Sequence, residues 1–225
     1  MKAWLTSLGL TPGVTPPGSC GITLAQWTMG TGAGTAPPLY TTKASDVAVA
    51  TAAAGAGITA STIDTGIGNP ANSWATRGYS NTGTLTLANN DYIEFAVSTT
   101  NYGSLGFSFD VRRDAGLNGP ASLQLHSSTD GVNFTPYGGV IAPTAAFVNQ
   151  NPAFTNASNS SGLTYFRIYG WDAANNGVSA LLYVDNAIVT GCQTPLPPTL
   201  AKTFLTSPVA VGGTSTLQFT LTNPG

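Results

Sequence analysis

The chain has 225 residues, of which 42% are hydrophobic and only 7% charged, with a formal net charge of -2. Ordinary soluble domains carry roughly a quarter charged residues, and the seven Lys and Arg here are scattered, so no basic stripe exists for nucleic acid. No run approaches the length of a membrane span, and nine Phe and eight Tyr argue for a packed core rather than disorder.

Residues 1–19 form a Thr/Pro/Gly-rich leader that ends in Thr15-Pro16-Pro17-Gly18 and lacks periodicity. Its opening, MKAWLTSLGLTPG, is too short and interrupted for a signal-peptide core. A secretion signal is therefore expected upstream, or Met1 is not the biological start. Strand-like runs follow at 22–29, 58–63, 73–79 and 82–87, with a loop at 30–43 and an extended or irregular Ala-rich piece at 46–56. Residues 64–72 are turn-rich, and Asn89-Asn90-Asp91 is a turn.

Alternation then sharpens. In 92–97, Ile93, Phe95 and Val97 face one way and Tyr92 and Glu94 the other. In 104–112, Leu105, Phe107, Phe109 and Val111 point inward, and Leu123 and Leu125 continue the pattern opposite Gln124 and His126. Asp130-Gly131 turns the chain into runs at 132–135 and 138–141. Residues 142–162 make a long polar loop of the kind that carries function or mobility. Runs at 163–171 and 179–190 close the domain, and the Pro-rich stretch 193–198 is a stiff linker. Residues 199–225 hold two more runs, 200–205 and 214–222. No internal repeat relates them to 20–192.

Ten or more short strands, no helix and no βαβ spacing predict an all-β fold, a jelly-roll-type β-sandwich over 20–192. Cys20 precedes the first run and Cys192 follows the last, where first and last strands are commonly neighbours. A disulfide is the favoured reading, with an oxidising, extracellular setting; two unrelated buried thiols are the alternative.

Two resemblances arise. The stretches LAQW at 24–27, ATRGY at 75–79, DYIEF at 91–95, FDVRR at 109–113, SSTDG at 127–131, FRIYG at 166–170 and VDN at 184–186 resemble the jelly-roll modules of bacterial secreted and surface proteins. Those modules are similar in fold to carbohydrate-binding and galactose-binding-like domains, and the likeness spans about 20–192. Leu200, Lys202, Phe204, Val209, Val211-Gly212-Gly213, Ser215, Leu217 and the stretch FTLTNP at 219–224 resemble the opening strands of an Ig-like bacterial surface-protein repeat. That resemblance implies a partial Ig-like strand pair, since such a repeat has several further strands.

Catalytic groups are sparse: one His, one Glu and eight Asp. Glu94 and Asp110 are expected to share the outward side, as a glycosidase pair would; two solvated carboxylates balanced by Arg112 and Arg113 explain them equally well. Ser127 and Ser128 adjoin His126, but consecutive strand residues face opposite ways, so no nucleophile–base pair results. With Phe166 and Ile168 in the core, Tyr165, Arg167, Tyr169 and Trp171 face outward, a row suited to stacking on sugar rings. The alternative is a second core under a loop or the tail. Asp185-Asn186, with Asp46 or Asp64, offers oxygen ligands for a structural calcium ion, or simply backbone hydrogen bonds. No other cofactor is expected. The sequons at Asn133, Asn156 and Asn159 matter only where the host glycosylates asparagine.

Three functions compete. The first is a non-enzymatic subunit of an extracellular surface assembly, a homopolymer joined through extended terminal strands in donor-strand fashion. Leu217, Phe219 and Leu221, with Leu200 and Phe204, would be the assembly strands, and the leader a second extended contact. The alternative is a glycan-binding adhesin module using Tyr165, Arg167, Tyr169 and Trp171. The third is a hydrolase using Glu94 and Asp110.

Overall fold

The computed structural model describes residues 19–29, 36–153, 162–175, 177, 179–194 and 198–222. The chain divides into two compact units, one of residues Ser19–Gln193 and one that includes the described residues 194 and 198–222. Residues 1–18 of the leader, the loop segments 30–35 and 154–161 (with the sequons Asn156 and Asn159) and residues 195–197 of the Pro-rich linker lie outside the described residues. No helix among the described residues is long and apolar enough to cross a membrane.

The larger unit is an all-β sandwich, as its sequence pattern predicts. Its strands run β1 (Ile22–Trp27), β2 (Thr42–Lys43), β3 (Ala50–Ala54), β4 (Ala60–Asp64), β5 (Ser73–Arg77) and β6 (Tyr92–Ser98). They continue through β7 (Tyr102–Arg113), β8 (Pro120–Ser128), β9 (Thr135–Ile141), β10 (Val148–Gln150), β11 (Leu163–Ala173) and β12 (Leu182–Gln193). One sheet has seven strands, in the order β10-β7-β12-β1-β2, with β5 also on β12 and β4 on β5. The other has five, in the order β3-β6-β11-β8-β9. Every pairing is antiparallel.

The two inner faces meet through aromatic rings. Phe95 of β6 lies edge-on to Trp27 (centroids 4.9 Å apart) and to Trp74 (5.8 Å). Phe107 of β7 stacks on Phe166 of β11 at 5.0 Å. These rings are fully buried, along with Ile93, Phe109, Leu123, Leu125 and Ile168, and each such side chain contributes about 1.5–3 kcal/mol through removal from water. Alternation places the partners of these residues on the two outer faces.

The sandwich is closed where it begins and ends. Ile22 pairs with Gly191, and the Gln193 amide donates to the Ser19 carbonyl at 2.9 Å, so the chain's entry runs antiparallel to the end of β12. That register sets Cys20 against Cys192, and the two form a disulfide across 172 residues of sequence.

Two expected strands are not there. Residues 82–87 form bends leading into a short 3-10 helix, Leu87–Asn89. The Ser80 and Thr82 hydroxyls bond one another and the Thr82 amide and Thr84 carbonyl locally, competing with ladder formation as such side chains do. The run expected at 132–135 starts only at Thr135, because Asp130 Oδ1 already accepts the amides of Val132 and Asn133, each at 2.8 Å. The expected short run at 138–141 is part of that same β9. The long polar loop instead contains β10.

In the second unit, β13 (Thr199–Phe204) and β14 (Leu217–Thr222) form an antiparallel hairpin.

Because the Cys20–Cys192 bridge closes so long a loop, replacing both cysteines by serine should lower the unfolding free energy by up to about 5 kcal/mol in the chain-entropy account. Urea titration of the native and doubly substituted proteins measures it; coincident midpoints would show that the bridge contributes nothing.

Candidate functional site

The outer face of the five-stranded sheet is built by three central strands in register. Glu94, Arg167 and His126 lie side by side across β6, β11 and β8, and one step along lie Tyr92, Tyr169 and Gln124. A step the other way brings Ala96, Tyr165 and Ser128 together. Each is outward because its neighbours Ile93, Phe95, Leu125, Phe166 and Ile168 are inward.

Arg167 organises this face. Its Nε donates to Glu94 Oε2 at 2.7 Å, and both side chains keep 15% exposure. Its Nη1 donates to the Tyr169 hydroxyl at 3.1 Å. The flat guanidinium lies between two rings, 3.8 Å from the centroid of Tyr92 and 3.6 Å from that of Phe134. Burial works against its charge, but the hydrogen bonds to Tyr169 and Glu94 outweigh it and hold its pKa above the ordinary value. Behind it, His126 sits with its ring edge-on to Tyr169, centroids 4.8 Å apart. Burial lowers the His126 pKa below 6.5; a hydrogen bond with the Phe134 backbone opposes the fall, and the charge of Arg167 adds to it.

Phe134 reaches Arg167 because of the turn before β9. Asp130 accepts the amides of Val132 and Asn133, the Asn133 side-chain amide at 2.7 Å and the Ser128 hydroxyl at 2.8 Å. Those hydrogen bonds, the Asn133 amide's first, hold its carboxyl well below the usual range. The next residue, Gly131, has a φ of +72°, and a Cβ there would lie 3.1 Å from the Tyr165 ring. Only glycine lets the turn close this near to Tyr165.

Alternation correctly places Tyr165, Arg167, Tyr169 and Trp171 outward, but they are not an open row. Tyr169 is 2% exposed and Trp171 8%; the second-core reading fits those two. Tyr165 and Arg167 stay half-buried, joined by Tyr92, Phe134 and Gln124. Sequence reasoning did not assign Tyr92, Phe134 or Gln124 to this face. The outward parity of Tyr92 and Gln124 was readable, but which strands flank β11 was not.

The expected Glu94–Asp110 pair does not form. Glu94 is on β6 of the five-stranded sheet and Asp110 on β7 of the seven-stranded one, with both outward, so the sandwich separates them. Arg112 and Arg113 balance neither: Arg112 lies over Tyr183 and Phe147, and Arg113 donates to the carbonyls of Leu117 and Gly119.

Asp110 instead meets Asp185, its register partner on β12. Asp110 accepts the side-chain amides of Asn69, Asn149 and Asn186. Asp185, 0% exposed, accepts the backbone amides of Asn69 (2.8 Å) and Asn186 (2.7 Å), one on each oxygen. Each Asp185 oxygen thus accepts a main-chain N–H, the backbone hydrogen bonding that the sequence offers as the alternative to calcium. Asp46 and Asp64 do not join it: Asp46 accepts the Tyr102 hydroxyl at 2.7 Å and Asp64 the Gly66 amide at 2.9 Å. Among the described residues no group of three or more His, Cys, Asp or Glu is placed to hold a metal ion.

No family model and no curated protein matches the chain. Among solved structures, a family 4 carbohydrate-binding module is similar at 14% identity and a TM-score of 0.40, over 60% of this chain and 76% of that one. The N-terminal tandem of family 22 modules from a Paenibacillus barcinonensis protein matches at 13% and 0.44, over 80% of this chain and 62% of that one. A family 11 carbohydrate-binding module of a cellulosomal cellulase from Clostridium thermocellum matches at 13% and 0.37, over 64% and 88%.

Burial, with the nearby Asp110 charge adding to it against the two backbone hydrogen bonds, raises the Asp185 pKa from 3.8 to about 6. A carboxyl whose folded value lies above its unfolded value costs stability when ionised, so this cost disappears as pH falls through 6 toward 4. The unfolding free energy of the native protein minus that of Asp185→Asn should therefore rise between pH 7.5 and pH 5, measured in urea. A difference that is flat across this range would contradict the assignment.

Proposed function

We propose that the unit Ser19–Gln193 is a non-catalytic glycan-binding module of an extracellular or cell-surface protein, holding sugar against the outer face of its five-stranded sheet. One observation carries the reading: the half-buried rings of Tyr92, Phe134 and Tyr165 gather around Arg167, with Gln124 half-buried on the same outer face. Pyranose rings present flat C–H faces and equatorial hydroxyls, and recognition needs aromatic surface beside directional donors and acceptors. Tyr169, His126 and the Asp130 turn support this surface from below and from the side. The disulfide fits an oxidising compartment.

Assembly of the chain with copies of itself is the second reading, and one observation favours it. In the β13–β14 hairpin Leu200 pairs with Leu221, Lys202 with Phe219 and Phe204 with Leu217, so five large apolar side chains share one face, and all five are exposed.

Replacing Tyr165 or Tyr92 by alanine should weaken binding to a retained polysaccharide at least tenfold, while Leu39→Ser, at an exposed residue before β2, should leave it unchanged. Affinity electrophoresis against a polysaccharide panel measures this; binding that survives both tyrosine substitutions removes this face from the mechanism. For the second reading, Phe219→Asp should shift a self-associated native protein toward monomer in sedimentation velocity. A native protein that is already monomeric at high concentration would end that reading.

A further inference from the structure

Arg167 is the only Lys or Arg on the five strands of this sheet. Its availability therefore decides whether the face attracts anionic ligands. A guanidinium recognises a carboxylate through two parallel N–H bonds, from either its Nε/Nη2 edge or its Nη1/Nη2 edge. Here Nε is committed to Glu94, which takes a donor from the Nε/Nη2 edge, and Nη1 spends one of its two N–H groups on Tyr169. Tyr92 and Phe134 cover the two flat faces. The donors left over, two on Nη2 and one on Nη1, belong to a cation whose charge Glu94 already matches.

Charge points the same way. Glu94 cancels the charge of Arg167 at 2.7 Å, and Asp130 adds a negative charge on the turn that carries Phe134 toward Arg167. On the side away from Arg167, Glu94 is flanked by Ala53, so no second cation competes for it. An acidic polymer approaching this face would meet a neutralised cation and one uncompensated carboxylate.

We infer that Glu94 is a specificity-determining residue that restricts this face to uncharged glycans by occupying Arg167. The inference rests on the glycan-binding reading above and names the class of sugar that reading requires. Removing the charge at Glu94 while keeping its shape would return an uncompensated guanidinium to the face and admit uronate-containing chains.

The test is titration calorimetry of the full chain, native and Glu94→Gln, against a neutral β-glucan, a neutral galactan, polygalacturonate and alginate. The native protein should bind at least one neutral polymer and bind the two acidic ones at least tenfold more weakly. In Glu94→Gln the ratio of acidic to neutral affinity should rise at least fivefold at low salt, and that gain should vanish at high ionic strength, where exposed charges are screened. Acidic polymers binding the native protein as well as neutral ones would overturn the role of Glu94 and leave the glycan reading standing. An unchanged ratio in a variant with native circular dichroism would do the same. No binding to any of the four would remove both. Should Glu94→Gln fail to fold, the native comparison alone decides the inference.

Discussion

The ring contacts between Phe95, Phe107 and Phe166, with Trp27 and Trp74 around them, hold the seven-stranded and five-stranded sheets together. Because a strand presents successive side chains to opposite faces, burying Phe166 and Ile168 inside obliges Tyr165, Arg167 and Tyr169 to point out. Burying Ile93 and Phe95 does the same for Tyr92 and Glu94. The polar face is thus a consequence of the apolar one. A slip of one residue in β11 would carry Arg167 into the core and lose the Glu94 contact at once.

The two outer faces settle buried charge by different means. On the five-stranded sheet a cation and an anion meet directly, and neighbouring rings cover the cation. On the seven-stranded sheet two carboxylates, Asp110 and Asp185, sit together under amide donors from Asn69, Asn149 and Asn186, with no cation among the described residues bonded to either. Neutral donors stabilise a carboxylate less than a paired cation does. Burial, which those amide donors offset only in part, raises the Asp185 pKa to about 6, while hydrogen bonds to Tyr169 and Glu94 hold Arg167 more firmly charged than usual. On the seven-stranded sheet the amide hydrogen bonds fasten the loop that carries Asn69.

The hairpin of the second unit stands apart in kind. Its ladder satisfies its backbone, yet two strands alone bury little apolar surface, and Leu200, Phe204, Leu217, Phe219 and Leu221 remain exposed.

What the sequence determined by itself was local in origin. Period-2 alternation identified β6, β7, β8 and β11 and assigned inward and outward sides correctly for Phe95, Phe107, Leu125 and Arg167, because side-chain direction depends only on position within a strand. It failed at 82–87 and 132–135, where Ser80, Thr82 and Asp130 bind nearby backbone groups and remove them from any ladder. Which strands share a sheet was decided only by the tertiary structure, since pairing partners lie far apart in the chain: Arg167 and Glu94 are 73 residues distant in sequence. That long-range pairing divided Glu94 from Asp110, brought Tyr92 and Phe134 onto Arg167, and buried Tyr169 and Trp171. Alternation says which way a residue points; only the fold says what stands beside it.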